Sequence, residues 1–432
     1  MQTKIDLQTA FSSILKRKAV GPSGSRHLNE DDLSVIFPAL NFEEISLASK
    51  AVLVTAVVIL ERNELEDKLL KNWKSGERFL PAKLKTVFFE KNSITFDAIL
   101  QKILKNEDLN THEASAGISY LLDDKVPSYK KGIFLIGERL KRETFEENEA
   151  FLQRMRQAAH SYSVDVPFLI DLSDPYDGFC RYPIYTPFVA ALLSAMGFPA
   201  YCHGTKTVAP KNGDTIHKIL ALAGKNPLKS PEAVIKDIEN QEIGWGYIDQ
   251  SIYFPSLYKL TKLRENIVKR PFLATLEKLL QPLRSVKSNC MVTGFVHSAY
   301  KKKLAGLLKN QGSPDAALIV KGMEGSTQID FRKEPVIARV PDNESFTNAA
   351  KSVQIDYPKE EWEQCNSLAE YALATGIAAL NGEKNNARQI LINQVGQITS
   401  GLQMMEAPKA RSKAEEMLDL GRALQHWKRG CN

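Results

Sequence analysis

The segment from residue 166 to residue 224 constrains the fold more than any other part of the sequence. The apolar run 166–170 predicts a buried strand, a turn follows it, and residues 184–196 predict a helix. A second short strand, 199–203, leads into Gly204-Thr205-Lys206-Thr207, whose small and hydroxyl-bearing residues can cradle a phosphate with backbone N–H groups. This order of elements predicts an α/β unit that carries a candidate phosphate loop.

The rest of the chain alternates short β-type runs with longer helical stretches. Residues 317–321 and 336–340 have the β-type pattern, whereas 368–380, 389–404 and 413–428 have helical spacing. We therefore predict the fold class α/β: a small N-terminal all-helical domain, a larger mainly parallel sheet covered by helices, and a helical C-terminal extension.

Two segments near the N-terminus share one helical pattern. One begins at Phe11 and the other at Phe96, and each continues through a capping signal, at 28–32 and at 109–113. Each then enters an apolar helix, 51–60 in the first segment and 132–140 in the second, at a separation of roughly 80 residues. The pattern predicts a duplicated helical unit, although two unrelated helical hairpins would look the same.

Composition sets broad limits on the class of protein. The chain has 432 residues, 43% of them hydrophobic, and a formal net charge of +6, which permits anionic partners without requiring them. Its cysteines are scattered singly, which favours a reducing compartment, and the N-terminal residues lack the apolar core of a signal peptide. We expect free thiols and a cytoplasmic location. The five cysteines are Cys180, Cys202, Cys290, Cys365 and Cys431.

Several motifs together carry a family resemblance. In order along the chain they are Asp177-Gly178, Thr186, Cys202-His203-Gly204-Thr205-Lys206, Arg264 to Arg270, Gln281-Pro282-Leu283 and Gly322-Met323-Glu324-Gly325. They resemble the anthranilate phosphoribosyltransferase family, where a Gly-Thr-Gly-Gly-Asp-Gly loop precedes a helix and a Lys-His-Gly-Asn-Arg segment follows the next strand. The resemblance covers roughly residues 96–380.

The resemblance implies a set of site residues. Phosphate or ribose would be held by Asp177, Gly178, Thr186, His203, Gly204, Thr205 and Lys206, and an acceptor or anion by Arg264 and Arg270. For His203 a packed, hydrogen-bonded strand-end histidine is an equal alternative. Arg264 and Arg270 could equally be surface arginines on a helix.

The chain departs from the family pattern at its strongest ligands. Pro175, which has no N–H, and two bulkier neighbours stand where the family has small residues, and lysine replaces arginine at Lys206. Thr327 and Gln328 replace the family's Asp-Glu pair for magnesium, and neutral oxygens are poorer Mg²⁺ ligands than carboxylates. We therefore predict no protein metal site, with Mg²⁺ entering only together with a bound phosphoribosyl donor.

Aromatic and basic residues alternate between residues 245 and 264. Tyr253, Tyr258, Lys259 and Lys262 are the candidate nucleic-acid contacts, because aromatic rings interleaved with cations suit base stacking. The alternative is that these aromatic side chains close a pocket or fill an interface between domains.

These observations predict a divergent, non-biosynthetic branch of the family. The protein would bind nucleic acid or a nucleotide through a basic cleft, without the family's usual anthranilate activity. An active pentosyl or phosphoribosyl transferase with an unidentified acceptor is the alternative, and a structural or regulatory partner protein is a third possibility.

Domain and assembly predictions follow from the same resemblance. We expect an extra N-terminal helical repeat at 1–90, the family's small helical domain at 91–160, a ribosyl-phosphate-type α/β domain at 161–380, and a helical extension at 381–432. In the family the small domain commonly forms the dimer contact. The resemblance therefore implies a homodimer, or a pseudo-dimer within one chain, through the N-terminal helices, and no membrane partner.

Overall fold

The structure is a computed structural model that describes residues 2–90, 95–341, 345–346, 354–357 and 359–430. Cys431 lies outside the described residues. The chain forms two compact units. The helical unit comprises Met1–Met155 and Ser256–Leu276, and the sheet unit comprises Arg156–Pro255 and Glu277–Asn432.

The helical unit is built mainly from the first nine helices. They are α1 (Gln2–Lys18), α2 (Glu30–Asn41), α3 (Leu47–Ile59), α4 (Glu64–Ser75), α5 (Ala82–Phe89), α6 (Thr95–Leu104), α7 (Thr111–Leu122), α8 (Ser128–Lys141) and α9 (Phe145–Ala158). After α14 (Pro255–Tyr258), which joins the units along the chain, α15 (Thr261–Ile267) and α16 (Leu273–Leu276) complete it.

A three-helix segment occurs twice in this unit. Helices α2, α3 and α4 begin at residues 30, 47 and 64, and α7, α8 and α9 begin 81 residues later, at 111, 128 and 145. The capping signals form hydrogen-bonded capping boxes at equivalent places, Asn29 with Asp32 and Asn110 with Glu113. The two copies therefore share helix boundaries and the chemistry that starts their helices.

Equivalent helices of the two copies, α3 and α8, pack against each other. A Cβ built on Gly132 would lie 3.7 Å from the Cβ of Ala48, and one on Gly137 would lie 2.5 Å from Ile103 and 3.6 Å from Ile59. Ile103 belongs to α6, so the missing side chain of Gly137 lets α6 approach α8 closely, whereas Ile59 of α3 lies at an ordinary contact distance. The apolar runs predicted at 51–60 and 132–140 are thus the buried centres of α3 and α8.

A seven-stranded sheet organises the sheet unit. Its strands are β2 (Leu169–Ser173), β3 (Ala200–Gly204), β4 (Trp245–Asp249), β6 (Asn289–Phe295), β7 (Ala316–Lys321), β8 (Ile337–Val340) and β9 (Ser345–Phe346). They are ordered β4-β3-β2-β6-β7-β8-β9, parallel from β4 to β7 and antiparallel at β8 and β9. A separate parallel pair joins β1 (Tyr162–Val164) to β5 (Leu283–Ser285). The predicted α/β class and mainly parallel sheet are confirmed.

Some predicted boundaries are wrong. The first strand was predicted at 166–170 but spans Leu169–Ser173, and Pro167, which has no N–H to donate to a ladder, precedes it. The helix predicted at 413–428 is two helices, because Gly421 takes a left-handed φ of 64° between them.

Helices cover the sheet. They are α10 (Thr186–Ala195), α11 (Ile216–Leu222), α12 (Pro231–Glu239), α13 (Gln250–Tyr253), α17 (Ala299–Asn310), α18 (Lys359–Glu363), α19 (Leu368–Leu380), α20 (Asn386–Gly401), α21 (Ala407–Asp419) and α22 (Arg422–Arg429). The last helix packs on the core through Trp427, which stacks on Trp245 of β4 at 5.2 Å and on Phe188 of α10 at 4.5 Å. The C-terminal helices are therefore part of the sheet unit.

Two further features concern the described residues as a whole. Within them, no helix combines the length and apolar character that crossing a membrane would need. Cys180, Cys202, Cys290 and Cys365 form no disulfide.

Candidate functional site

The carboxyl ends of the parallel strands lie at one edge of the sheet, which we call the carboxyl edge. In open α/β sheets this is the edge where ligands bind. The loop after β2 carries Asp177 and Gly178, and β3, its neighbour, ends in His203 and Gly204. The predicted phosphate and ribose residues therefore come together at this edge.

A buried polar chain crosses β2 and β3. The hydroxyl of Tyr176 is hydrogen-bonded to Nδ1 of His203 and to the hydroxyl of Tyr253. His203 Nε2 lies 3.0 Å from Asp171 Oδ1, and the Tyr201 hydroxyl donates to Asp171 Oδ2 at 2.8 Å. Burial raises the pKa of Tyr176 well above its ordinary value, so its hydroxyl stays protonated. His203 is thus buried and hydrogen-bonded at the end of its strand, and the ligand role expected from the resemblance stays a prediction.

Gly178 is held by its main-chain surroundings. Its φ is 75°, and a Cβ at this position would lie 2.4 Å from the carbonyl oxygen of Asp214. Phe179 exchanges main-chain hydrogen bonds with Asp214, and the Lys211 ammonium donates to the Gly178 carbonyl. The Asp-Gly pair therefore fixes a tight turn against the 213–214 segment.

Asp174 is buried and accepts hydrogen bonds from the rebuilt motif after β7. Thr327 donates to Asp174 Oδ1 from its N–H at 2.8 Å and from its hydroxyl at 3.0 Å. The Thr186 hydroxyl, at the start of α10, lies 3.2 Å from that of Thr327. Burial raises the pKa of Asp174 and outweighs the hydrogen bonds from Thr186 and Thr327 that lower it. Thr186 thus helps to join the β2 loop to the β7 loop.

Gln328 is also occupied by main-chain groups. Its Oε1 accepts the N–H of Tyr185 at 2.9 Å, and its Nε2 donates to the carbonyl of Pro183 at 3.2 Å. Magnesium needs several available oxygen ligands, preferably carboxylates. The residues that replace the family's Asp-Glu pair are neutral and already hydrogen-bonded, so they do not fit the metal. In the described part of the chain no group of three or more His, Cys, Asp or Glu could hold a metal ion.

Glu324 occupies a cradle of N–H groups. Its carboxylate accepts the backbone N–H groups of Cys180 at 3.2 Å, Arg181 at 2.8 Å and Tyr182 at 3.3 Å. The Lys211 ammonium lies 2.5 Å from Glu324 Oε2. We call these three N–H groups and Lys211 the Glu324 cradle, and its donors all converge on one carboxylate.

Lys278 places a buried ammonium behind the same loops. It donates to the carbonyl of Gly294, at the end of β6, and to that of Gly325 at 3.2 Å. Burial lowers its pKa from 10.5 to about 8, although Asp174 and Asp177 act to raise it. The buried Lys278 ammonium is therefore a positive charge close to Asp174 and Asp177.

The remaining predicted residues are distributed between the two units. At the carboxyl edge, Thr205 is buried and Lys206 is exposed. The helical unit contains Arg264, which is buried on α15, and Arg270, which is exposed and whose carbonyl accepts from Arg139 at 2.6 Å. The structure thus brings the phosphate-type candidates together, whereas the acceptor-type candidates lie in the other unit.

The nucleic-acid candidates also divide. Tyr258, Lys259 and Lys262 are exposed in the helical unit, and the Lys259 ammonium pairs with Asp124. Tyr253 is completely buried in the sheet unit, where its hydroxyl bonds to Tyr176. In this conformation Tyr253 has no surface on which a base could stack, so it fits the alternative of a core aromatic.

Sequence reasoning missed Lys278, Lys211 and Asp171. A signal existed for Lys278, because Glu277 and Lys278 interrupt the apolar run 276–280, and charges inside such a run are unusual. Asp171 gave the same kind of signal, because it interrupts the apolar run 169–172, whereas Lys211 gave none, since its partners lie far away in sequence.

Solved anthranilate phosphoribosyltransferases share the fold of this chain. The solved anthranilate phosphoribosyltransferase of Thermus thermophilus superposes with a TM-score of 0.62 at 20% identity, covering 77% of this chain and 97% of that one. The Saccharomyces cerevisiae enzyme, solved in complex with PRPP and Mg, gives 0.64 at 14% identity over 78% and 97%. The fold is therefore that of the anthranilate phosphoribosyltransferases.

Sequence matches agree with this fold. Residues 97–159 match the model of the glycosyl transferase family, helical bundle domain. An anthranilate phosphoribosyltransferase of Acetivibrio thermocellus is 27% identical over 334 residues, 76% of this chain and 93% of that protein. An uncharacterised protein of Aquifex aeolicus is 28% identical over 255 residues, 59% of this chain and 75% of its own length. The chain is therefore similar to anthranilate phosphoribosyltransferases over about three quarters of its length, and residues 97–159 match the glycosyl transferase family, helical bundle domain.

Proposed function

We propose that this protein binds nucleic acid, or a nucleotide, at the carboxyl edge of its sheet and lacks the usual anthranilate phosphoribosyltransferase activity. The proposal rests on a difference between two groups of residues at that edge. The positions that would hold a metal and a diphosphate are buried and hydrogen-bonded within the chain, whereas cations are exposed around them.

The exposed cations follow neighbouring strands. Arg181 lies after β2, Lys206 after β3 and Lys302 after β6, and Lys321 ends β7. Because β3, β2, β6 and β7 are consecutive in the sheet, we infer that these cations follow one another along the carboxyl edge. A row of positive charge suits a polyanion, since each neutralised phosphate releases counterions.

An exposed aromatic residue stands within this row. Tyr300, in the first turn of α17, is 39% exposed, and Lys303 Nζ lies 5.8 Å from the centre of its ring. Lys301 and Lys303 are half-buried on either side of exposed Lys302. A tyrosine face beside several lysines can stack a base while the ammonium groups contact the phosphates. Tyr258, Lys259 and Lys262 remain further candidate contacts in the helical unit.

The groups that phosphoribosyl transfer requires are missing or already hydrogen-bonded at this edge. Transfer from a phosphoribosyl donor needs its diphosphate charge neutralised as the ribose becomes cation-like. Thr327 and Gln328 are engaged with Asp174 and with the Tyr185 N–H, and Glu324 adds negative charge where a diphosphate would need donors. These contacts favour binding over turnover.

Two assays on the purified full chain test the proposal. Fluorescence anisotropy with labelled single-stranded and double-stranded oligonucleotides should show binding that weakens steeply between about 50 and 300 mM salt. A phosphoribosyl-transfer assay with PRPP, Mg²⁺ and anthranilate should show no product. No binding at the lowest salt would overturn the proposal, and turnover of PRPP with another acceptor would support the alternative, an active transferase.

We also propose that the two helical copies act as partners within one chain. The pairing of α3 with α8, which are equivalent helices, is the arrangement that an isologous dimer contact would produce. A monomer mass by light scattering would support this internal pseudo-dimer, and a dimer that persists on dilution would favour a homodimer. The scattered free thiols keep the cytoplasm as the proposed compartment.

A further inference from the structure

The Glu324 cradle has the features of an anion site. Three consecutive backbone N–H groups, from Cys180 to Tyr182, point at one carboxylate at 2.8 to 3.3 Å. Consecutive N–H groups that converge in this way form a concave site for an anion. The Lys211 ammonium, 2.5 Å from the carboxylate, adds a full positive charge.

The cradle lies at the surface. Cys180 and Arg181 are exposed, and the side chains of Lys211 and Glu324 retain 13% and 7% of their accessible area. The Glu324 carboxylate therefore covers the N–H groups almost completely, and an anion from solvent would contact them only after this carboxylate leaves the cradle. The exposed guanidinium of Arg181 adds a second cation at the rim of the cradle.

Glu324 enters the cradle at a conformational cost. Its φ of 51° and ψ of 19° are left-handed, which is unfavourable for a residue with a Cβ. The main chain is closely packed on both sides, because a Cβ on Gly322 or on Gly294 would lie 1.7 Å from the Ser326 carbonyl oxygen. Glu324 thus places its carboxylate in the cradle from a strained backbone conformation in a closely packed loop.

We propose that the cradle is a binding site for a phosphate group, of the kind carried by a phosphomonoester, and that the chain's own Glu324 carboxylate occupies it. Phosphate offers more acceptor oxygens than a carboxylate and carries more charge, so it can use the same three N–H groups and Lys211. This inference goes beyond nucleic-acid binding, and its contacts are independent of Tyr300 and Lys301 to Lys303.

Removal of the carboxylate should open the site. In the full chain, Glu324→Ala should bind inorganic phosphate with a saturable millimolar isotherm by calorimetry. Replacing chloride by phosphate at equal ionic strength should raise its melting temperature by more than it raises that of the control, because phosphate stabilises proteins in general. Glu334→Ala is the matched control, because Glu334 is an exposed glutamate in the loop that leads to β8. The control and the unaltered protein should show no saturable phosphate binding.

A second substitution tests the donor set. Adding Lys211→Ala to Glu324→Ala should weaken phosphate binding about tenfold, since a charge-assisted hydrogen bond is lost. If Glu324→Ala does not fold in chloride, its refolding yield in phosphate becomes the measurement, and a recovery in phosphate that the Lys211→Ala double variant does not show supports the proposal. Absence of saturable binding by a folded Glu324→Ala, or equal failure to refold in both salts, would overturn it.

Discussion

The helical unit and the carboxyl edge both use glutamates to accept backbone N–H groups, but they bury them to different depths. Glu66 accepts from Leu28 N at 3.0 Å, Glu147 accepts from Leu109 N at 2.7 Å, and both glutamates are completely buried. Glu324 accepts from three N–H groups, yet two of the residues that donate them are exposed. The two buried glutamates are therefore part of the folded core, whereas the Glu324 carboxylate, 7% exposed, lies beside residues at the surface.

The two helical copies differ in the source of the matching cation. Glu66 pairs with Lys18, from the end of α1, at 2.6 Å, whereas Glu147 pairs with Lys141, from the end of α8, at 2.7 Å. The carboxylate keeps its place because the N–H groups it caps are part of the repeated backbone. The lysine varies because an ammonium can reach the same carboxylate from several helices.

The largest expected effect is from Glu66→Gln. Lys18 is 1% exposed, so the substitution leaves a buried ammonium without its carboxylate and should lower the free energy of unfolding by roughly 3–5 kcal/mol. Urea denaturation measures this, with Glu64→Gln, an exposed residue in the first turn of the same helix, as the control. If Glu66→Gln lowers the free energy of unfolding by less than about 1 kcal/mol, which is the range measured for surface ion pairs, then the buried Glu66 stabilises the fold no more than a surface carboxylate would.

The same pair should make the stability of the protein depend on pH. Burial acts to raise the pKa of Glu66, but hydrogen bonds from Lys18, the Leu28 N–H and His27 together hold it below its ordinary value of 4.5. A carboxyl with a lowered pKa stabilises the folded state above its ordinary value, and this stabilisation is lost as pH falls. The unaltered protein should therefore lose more stability than Glu66→Gln below about pH 4.5.

Glu147→Gln should cost less than Glu66→Gln. Lys141 keeps Asp108 at 2.9 Å and Glu138 at 3.5 Å, so its charge remains compensated. The remaining loss, about 1–3 kcal/mol, comes from weakened acceptance of the Leu109 and Thr144 N–H groups. Urea denaturation of both variants under one buffer gives the comparison, and a larger loss for Glu147→Gln would reverse our ranking of the copies.

Lys278→Met tests the buried ammonium of the sheet unit. Because burial lowers the pKa of Lys278 to about 8, the unfolded chain binds more protons than the folded one between about pH 8 and its ordinary 10.5. Stability of the unaltered protein should therefore rise relative to Lys278→Met across that window, by about 1–2 kcal/mol between pH 8 and 9.5. A pH-independent difference between the two proteins would mean that the pKa of Lys278 is not lowered.

The smallest expected effect compares Glu324→Gly with Glu324→Ala. Both lose the carboxylate, but only alanine keeps a Cβ at a φ of 51°, so glycine should be the more stable by about 1 kcal/mol. Thermal unfolding in phosphate-free buffer measures the difference. Equal stability of the two variants would show that the left-handed backbone at residue 324 does not disfavour a residue with a Cβ. Glu324 would then not be a strained residue.

The sequence predicted the helical repeat pattern and the α/β class well because both depend on local signals. The side chains of Asn29 and Asn110 cap the first turns of their helices, so these residues indicate where the helices begin. Apolar runs of a few residues indicate buried strands. The boundary errors have local causes as well, namely the ladder-breaking Pro167 and the left-handed Gly421.

The candidate site was harder to predict, because its character depends on partners distant in sequence. Thr327 and Gln328 were recognised as poor magnesium ligands, but their bonds to Asp174 and Tyr185 join residues more than 140 positions apart. The aromatic neighbours of Tyr253 in the sequence did not indicate whether it faces solvent. In the structure it is completely buried, and its hydroxyl bonds to Tyr176, which is distant in sequence. Residue types along the chain indicate what a site can hold, whereas tertiary contacts decide which groups remain available.

The most direct test of the central claim compares lysines of the two units in one binding assay. The first triple variant reverses charge at the carboxyl edge and combines Lys301→Glu, Lys302→Glu and Lys303→Glu. The second reverses charge on the exposed face of α4 and combines Lys68→Glu, Lys71→Glu and Lys74→Glu. Anisotropy with a labelled single-stranded oligonucleotide should show affinity reduced at least about tenfold and a shallower salt dependence for the first triple variant alone. Equal loss for both variants, or no loss for either, would contradict a nucleic-acid site at the carboxyl edge of the sheet.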